Sequence, residues 1–344
     1  MITCPHNEWL KLHRDRDEWS ITYEGRLQKL VADMTHADTQ YPSLLLFIGK
    51  KNKKQALRAL FPAINHKRRS VQGIISLNID PTTADAENPM LFAEANPENL
   101  PIKLNETADC CHETKRYRLD WVSDQYPKPE TGDVVDRIYS LLLLPFTDVL
   151  CLFAEDFLSL EEVSNLLCRW AERGQESAIS RPRVIIIVTQ TVNSADFIKS
   201  LPDVSKSFSS VTIIALLDAV EVSPTARYFP LKDALLREAD YARRAKITEQ
   251  ALFSATHLRA FFHKALIHFT TTTSLPFSFF RASREGSDID DQFSAHLGSF
   301  LQLCYQHEVS LDDAATYIAS AILVDSSPPG MHRKILRPPI PTGH

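Results

Sequence analysis

Short, unbroken apolar runs alternate with stretches of helical spacing over the first two thirds of this chain. Ser43-Leu-Leu-Leu-Phe-Ile-Gly49 is wholly apolar and ends on glycine, the pattern of a buried central strand meeting a tight turn. Runs of the same character predict strands over 73–79, 149–154, 184–189 and 211–216, with Met90-Leu-Phe-Ala93 as a shorter one. Between them the period changes. Leu160, Val163, Leu166, Leu167 and Trp170 share one helical face, and Ser159 with Glu162 three residues later reads as a capping box. Gly25 to Met34 has helical spacing too, and a helix from Gln55 to Phe61 is stopped by Pro62. Strands alternating with helices lead to an α/β expectation: a mostly parallel central sheet with helices on both faces, P-loop/Rossmann-like in type.

After Ser223 the texture shifts. Residues 231–269 and 292–324 read as amphipathic helices, joined by Thr270–Ser274, Pro276 and a polar stretch over 281–291. No strand of comparable quality occurs there, so a helical C-terminal region is expected. The resulting division is an N-terminal helical lead-in over 1–40 and an α/β domain over 41–222. A helical region over 223–327 and a disordered, proline-bearing tail over 328–344 follow.

Bulk composition narrows the class little. The chain has 344 residues, 44% hydrophobic, with a net charge of −5, so neither an acidic nor a basic class is implied. No apolar run approaches the roughly 20 residues that cross a bilayer. The polar opening Met1-Ile-Thr-Cys-Pro-His6 lacks the apolar core of a secretion signal. Six cysteines, with Cys110 and Cys111 adjacent, do not make a disulfide framework, so a reducing cytoplasmic or nuclear setting is expected. Cys4, His6 and His13 lack a fourth metal ligand, and no metal or cofactor is expected.

The candidate chemistry sits after the first central run. From Gly49 to Ile79 there is no acidic residue, whereas Lys50, Lys51, Lys53, Lys54, Arg58, Lys67, Arg68 and Arg69 are basic. A strand-to-helix turn points backbone N–H groups and helix-dipole charge the same way as such lysines. Gly49, Lys50, Lys51, Asn52, Lys53 and Lys54 are therefore a candidate anion or nucleotide-like site, fit for a nucleotide phosphate, RNA or an acidic lipid. The plainer reading is a solvated basic loop left after a P-loop decayed, and only a large stability loss on replacing the four lysines would point to pairing with buried carboxylates such as Glu94 or Glu155. Glu94, Glu155 and Asp156 form a candidate site for a cationic ligand at the strand ends, with helix-start and loop acids as the plainer reading. His257, His263 and His268 show no metal-chelating i, i+4 spacing.

The order of these segments resembles the GTPase-like domain of large fungal lysophospholipase-like, patatin-related multidomain proteins. The resemblance is carried by Tyr41-Pro-Ser-Leu-Leu-Leu-Phe-Ile-Gly49, Pro89-Met-Leu-Phe-Ala-Glu94, Phe146-Thr-Asp-Val-Leu-Cys-Leu-Phe153 and Pro182-Arg-Val-Ile-Ile-Ile-Val188. Ser209-Ser-Val-Thr-Ile213 and Ala265-Leu-Ile-His-Phe269 with Leu275-Pro-Phe-Ser-Phe279 continue it, so that it runs from about 41 to 325. It implies a P-loop GTPase-like sheet with a degenerate nucleotide site. A P-loop needs G-x-x-x-x-G-K-[ST], but here Lys54, Gln55 and Ala56 stand at the second glycine, the lysine and the hydroxyl. The switch-type Asp-x-x-Gly reads Glu94-Ala-Asn-Pro97, and Thr189-Gln-Thr-Val-Asn-Ser-Ala-Asp196 stands where guanine would be read. No G-x-S-x-G occurs, so no acyl-transfer nucleophile elbow is present.

Three functional expectations follow. The first is a non-catalytic, pseudo-GTPase-like interaction or regulatory protein with a protein partner. The second is an α/β enzyme acting on aminoacyl-tRNA or nucleotides, similar to cyclodipeptide synthases, although that chemistry rests on a serine this turn lacks. The third is a nucleotide- or RNA-binding module built on the basic turn.

Overall fold

The computed structural model describes residues 7–16, 18–64, 74–96, 114–174, 181–189, 197, 206–216, 223–249, 251–275, 277–283 and 293–326. Cys4, His6, Lys67, Arg68, Arg69, Pro97, Cys110, Cys111, Thr191 to Asp196 and the tail over 328–344 lie outside them. The chain divides into two units, Met1–Pro276 and Phe277–His344.

The first unit is built on one sheet. Its strands are β1 (Glu8–Asp15), β2 (Glu18–Tyr23), β3 (Ser43–Ile48), β4 (Ile74–Ile79), β5 (Met90–Ala95), β6 (Lys115–Arg118), β7 (Val149–Phe153), β8 (Arg183–Val188) and β9 (Ser210–Ala215). They lie in the order β6-β2-β1-β4-β5-β3-β7-β8-β9. All the apolar runs expected as strands are in this sheet. A mostly parallel sheet, however, is not what forms. β5, β3, β7, β8 and β9 run parallel, while β6, β2, β1, β4 and β5 pair antiparallel. The sheet is mixed, antiparallel through its N-terminal part.

The reason is physical. A parallel pair needs a crossover of about a dozen residues or more, and only the short loop over 80–89 separates β4 from β5. That loop is tied down by Asp80, which accepts from the Thr82 N–H at 3.0 Å and the Thr82 hydroxyl at 2.8 Å. The N-terminal region was expected to be a helical lead-in. Residues 8–23 instead form the β1–β2 hairpin, and among the described residues of that region α1 (Arg26–Ala32) is the helix. The hairpin is encoded by period two: Leu10, Leu12, Ile21 and Tyr23 face one way, opposite Lys11, His13, Ser20 and Thr22.

Helices cover both sides of the sheet. α2 (Lys51–Leu60) and α6 (Pro224–Thr248) pack on Leu45, Phe47, Phe92, Cys151 and Ile185. The opposite face receives α7 (Ala255–Thr271), whose Phe262 ring lies 4.4 Å from Trp9, 5.3 Å from Phe146 and 6.1 Å from Tyr23. Among the described residues the remaining α-helices of this unit are α3 (Asp120–Asp124), α4 (Thr131–Arg137), which runs on as a π-helix over Ile138–Leu143, and α5 (Leu160–Arg173). Ser159 caps α5, accepting from the Glu162 N–H at 3.1 Å, and the Glu162 carboxylate reaches back to the Leu158 N–H at 2.7 Å. Thus α6 and α7, expected in a separate C-terminal region, belong to the sheet's unit. The second unit has α8 (Phe279–Ser283), α9 (Phe293–Gln306) and α10 (Leu311–Ser326). Among the described residues no helix is long and apolar enough to cross a membrane.

Asp148 pins the sheet where β7 begins. Its carboxylate accepts from the Leu44 N–H at 2.7 Å and pairs with the half-buried Lys246 Nζ at 2.6 Å. Replacing Asp148 by Ala leaves the buried Leu44 N–H unanswered and the Lys246 ammonium unpaired, so unfolding free energy should fall by about 1–3 kcal/mol, read from urea titration. A second expectation concerns acid. Burial, first of all, lowers the pKa of His13, His257 and His263 below the ordinary 6.5. Below that value the unfolded chain takes up protons that the folded chain refuses, so stability drops as pH falls from 6.5. His13→Asn should flatten part of this slope; an unchanged slope would show that His13 does not contribute.

Candidate functional site

The turn after β3 lies at the carboxyl ends of adjacent parallel strands, where open α/β sheets gather ligands. Only Gly49 and Lys50 separate β3 from α2. The backbone enters the helix almost at once, leaving no loop long enough to wrap a phosphate. Gly49 is required here. Its φ is +151°, and a Cβ would stand 2.6 Å from Asp156 Oδ2.

Asp156 fills the space that an anion would take. It follows β7 on the short 3-10 turn Ala154–Asp156 and is buried. Oδ2 accepts from the Lys50 N–H at 2.6 Å and the Lys53 N–H at 3.0 Å. Oδ1 accepts from the Asn52 N–H at 2.9 Å and the Asn52 side-chain amide at 3.1 Å. A helix leaves its first four N–H groups without intrahelical partners, and here a carboxylate of the same chain answers them with charge-assisted bonds along the favourable helix dipole.

Lys53 does not face solvent. It is 1% exposed, its Nζ donates to the Ala95 carbonyl at 2.9 Å, and Glu94 Oε2 lies 3.7 Å away. Burial lowers its pKa, and Glu94 opposes that shift. The register explains the meeting. Phe47 of β3 pairs with Glu94 of β5, so Glu94 points to the face that α2 covers, where Lys53 descends from the helix's first turn.

The expected anion site and the expected cation site are thereby brought together, and largely answer each other. Asp156 holds Lys50, Asn52 and Lys53 through their N–H groups, and Glu94 holds the Lys53 ammonium. Glu155 separates from them, since its carboxylate accepts from the Thr189 N–H in a short hydrogen bond. Lys50 and Lys51 are exposed and Lys54 half-buried. Lys51, Lys54 and Arg58, at i, i+3 and i+7, share the outer face of α2.

A second constellation had no counterpart in the sequence reading. A cavity of about 430 Å³ lies between α4 and α5, lined among others by Asp133, Asp136, Phe157, Leu166, Arg169 and Arg173. Asp136 accepts from Arg169 Nε at 2.9 Å, Trp170 Nε1 at 2.8 Å and Arg173 Nη1 at 3.3 Å. Asp133 pairs closely with Arg173 as well. The available signal was the matched spacing of Asp133 with Asp136 and of Arg169 with Arg173, which suits two facing helices. Both carboxylates are committed to arginines, so the cavity presents no free acid or base from them. Among the described residues there is no group of three or more His, Cys, Asp or Glu side chains able to hold a metal ion.

No family model matches the chain, and no curated protein matches its sequence.

Asp156→Ala should lower unfolding free energy by about 3–5 kcal/mol, as expected when one partner of a buried charged contact is removed. Glu155→Ala, at an exposed hydrogen bond, should cost only about 0.5–1.5 kcal/mol. Equal losses in urea titrations would show that Asp156 is not the residue that holds the turn.

Proposed function

We propose that the protein is a non-catalytic, pseudo-GTPase-like interaction or regulatory module. The observation that carries this reading is the Asp156 carboxylate at the N-terminus of α2, bonded to the N–H groups that would otherwise face a phosphate. Three further features support it. The hydroxyl that would hold magnesium is replaced by Ala56, the lysine by Gln55, and the buried Lys53 is committed to Ala95 and Glu94. Phosphoryl transfer is catalysed almost wholly by positioning and charge stabilisation, and here the helix N–H groups and Lys53 are taken by internal partners. The resemblance to a degenerate GTPase-like domain agrees with such a history.

One observation favours a second reading, a weak polyanion contact through the outer face of α2. Lys51, Lys54 and Arg58 lie on that face, and among the described residues no ion pair holds any of them. With Lys53 buried, these side chains supply at most a short basic strip. The transferase reading gains no support from the turn, which contains no serine between Gly49 and Leu60.

Purified protein should show no magnesium-dependent GTP or ATP hydrolysis and no heat of nucleotide binding in calorimetry. Removing one electrostatic contact to a transition state costs about 2.7–4 kcal/mol of barrier, and several are missing together. Steady turnover that disappears in Gln55→Ala would overturn the reading. For the second reading, RNA binding measured by anisotropy should weaken with salt at a log–log slope of about −0.7 per neutralised phosphate. Replacing Lys51, Lys54 and Arg58 by Ser should abolish it. Salt-independent or absent binding removes the polyanion contact and leaves the first reading standing.

A further inference from the structure

We infer that the cavity between α4 and α5 binds a small zwitterion of the amino-acid class, with one carboxylate and one ammonium on a partly apolar body. The side chains involved play no part in the reading of the α2 turn, so the two stand or fall separately.

The cavity measures about 430 Å³, inside the roughly 300–1,000 Å³ of pockets that take small molecules. Its apolar lining consists of buried Val135 and Leu166 with the half-buried Phe157 ring. Glu162, Leu166, Arg169 and Arg173 fall at i, i+4, i+7 and i+11, so one stripe of α5 runs along it. That stripe is polarised. It begins with a carboxylate, passes through leucine and ends with two guanidinium groups.

Arg169 is held in place. Its Nε donates to Asp136 Oδ2 at 2.9 Å, and Asp136 is itself fixed by Trp170 Nε1 at 2.8 Å. The Asp136 side chain is 9% exposed, that of Arg169 45%. Arg173 uses its Nη groups on Asp133 and Asp136, whereas among the described residues no hydrogen bond occupies the Nη pair of Arg169. A guanidinium locked at Nε presents that pair as a rigid fork, the geometry that receives a carboxylate through two bonds. Toward the start of α5, Glu162 Oε2 accepts from the Leu158 N–H at 2.7 Å, which keeps this carboxylate next to the Phe157 backbone. An ammonium bound there meets a carboxylate and, on Phe157, an aromatic ring.

The balance of lining charges decides what enters. Four carboxylates, of Glu130, Asp133, Asp136 and Glu162, face the two guanidinium groups of Arg169 and Arg173, an excess of two negative charges. A simple carboxylate or phosphate would bind against that excess. A simple amine would leave the Arg169 fork unanswered and face its charge. A molecule with both groups satisfies both ends, and its apolar part covers Val135, Leu166 and Phe157.

Isothermal titration calorimetry on the full chain tests this with L-leucine and L-lysine as probes. Leucinamide, which lacks the carboxylate, and N-acetyl-leucine, which lacks the ammonium, serve as comparisons. L-Leucine should bind saturably, and each comparison compound at least tenfold more weakly. Arg169→Gln should weaken L-leucine at least tenfold yet leave leucinamide unchanged. Glu162→Gln keeps an oxygen for the Leu158 N–H and should weaken L-leucine while leaving N-acetyl-leucine unchanged. Gly132→Phe alters no charge, and nothing lies within 4 Å of where its Cβ would stand, so it should fill the cavity and abolish binding with an unchanged urea midpoint. Absence of saturable binding by both amino acids at millimolar concentration overturns the inference. So does equal binding of the comparison compounds, or full affinity in Gly132→Phe.

Discussion

The parallel part of the sheet depends on a carboxylate placed where a helix begins. At the N-terminus of α2, Asp156 receives three backbone N–H groups and one side-chain amide. Such a cluster of donors is unstable without an anion, because each unanswered buried N–H costs about 1–3 kcal/mol. A nucleotide-binding turn leaves these donors for its ligand and keeps a loop between strand and helix to wrap it. Here β3 passes into α2 through two residues, and the anion comes from the neighbouring strand. Gly49 permits the approach, since any side chain would collide with the oxygen that closes the contact.

The same strand supplies a second carboxylate at its other end. Asp148 precedes β7 and Asp156 follows it by a short turn, so one strand holds β3 at both extremities. At the start, Asp148 accepts from the Leu44 N–H and neutralises Lys246 from α6. At the finish, Asp156 accepts from the first turn of α2. Both helices on this face, α2 and α6, are thereby anchored electrostatically to residues flanking β7, while Leu45, Phe47, Cys151 and Ile185 supply the apolar packing between them. Two ends held by directional bonds leave no freedom for a register shift, which in a buried strand would turn every core side chain outward.

Much of the sheet was legible in the sequence because buried parallel strands cannot tolerate polar interruptions. β3, β7 and β8 are near-continuous apolar runs for that reason. β1 and β2 were missed because one of their faces is polar: Lys11, His13, Ser20 and Thr22 alternate with apolar residues and, among many charges, resemble the spacing of a surface segment. Their burial is achieved by pairing rather than hydrophobicity, with Lys11 Nζ 2.7 Å from both Glu8 and Glu24. The mixed character of the sheet follows from loop length, a signal present in the sequence but weaker than strand composition. At the turn, the basic composition of 50–54 and the acids at 94 and 156 were both visible as separate charge features. Their mutual contact was not, because it depends on the β3–β5 and β3–β7 registers, and no local spacing encodes which strands become neighbours.

The helix N-terminus and Lys53 are answered internally, while Lys50, Lys51 and Arg58 stay exposed. The chain's modest net charge of −5 conceals a segregation. The stretch after β3 is devoid of acids, and the stretch carrying α9 and α10 is devoid of lysine and arginine. In the first, the positive side chain that reaches the interior, Lys53, is balanced by Glu94, and the helix N-terminus by Asp156. In the second, the Asp313 carboxylate accepts from the Ser310 hydroxyl at 2.6 Å, and the Asp313 N–H donates back to Ser310 Oγ at 3.1 Å. Fixed internal pairing makes a rigid scaffold and consumes specificity. The parallel part of the sheet is thus held at both ends of β7 by its own aspartates, Asp148 and Asp156.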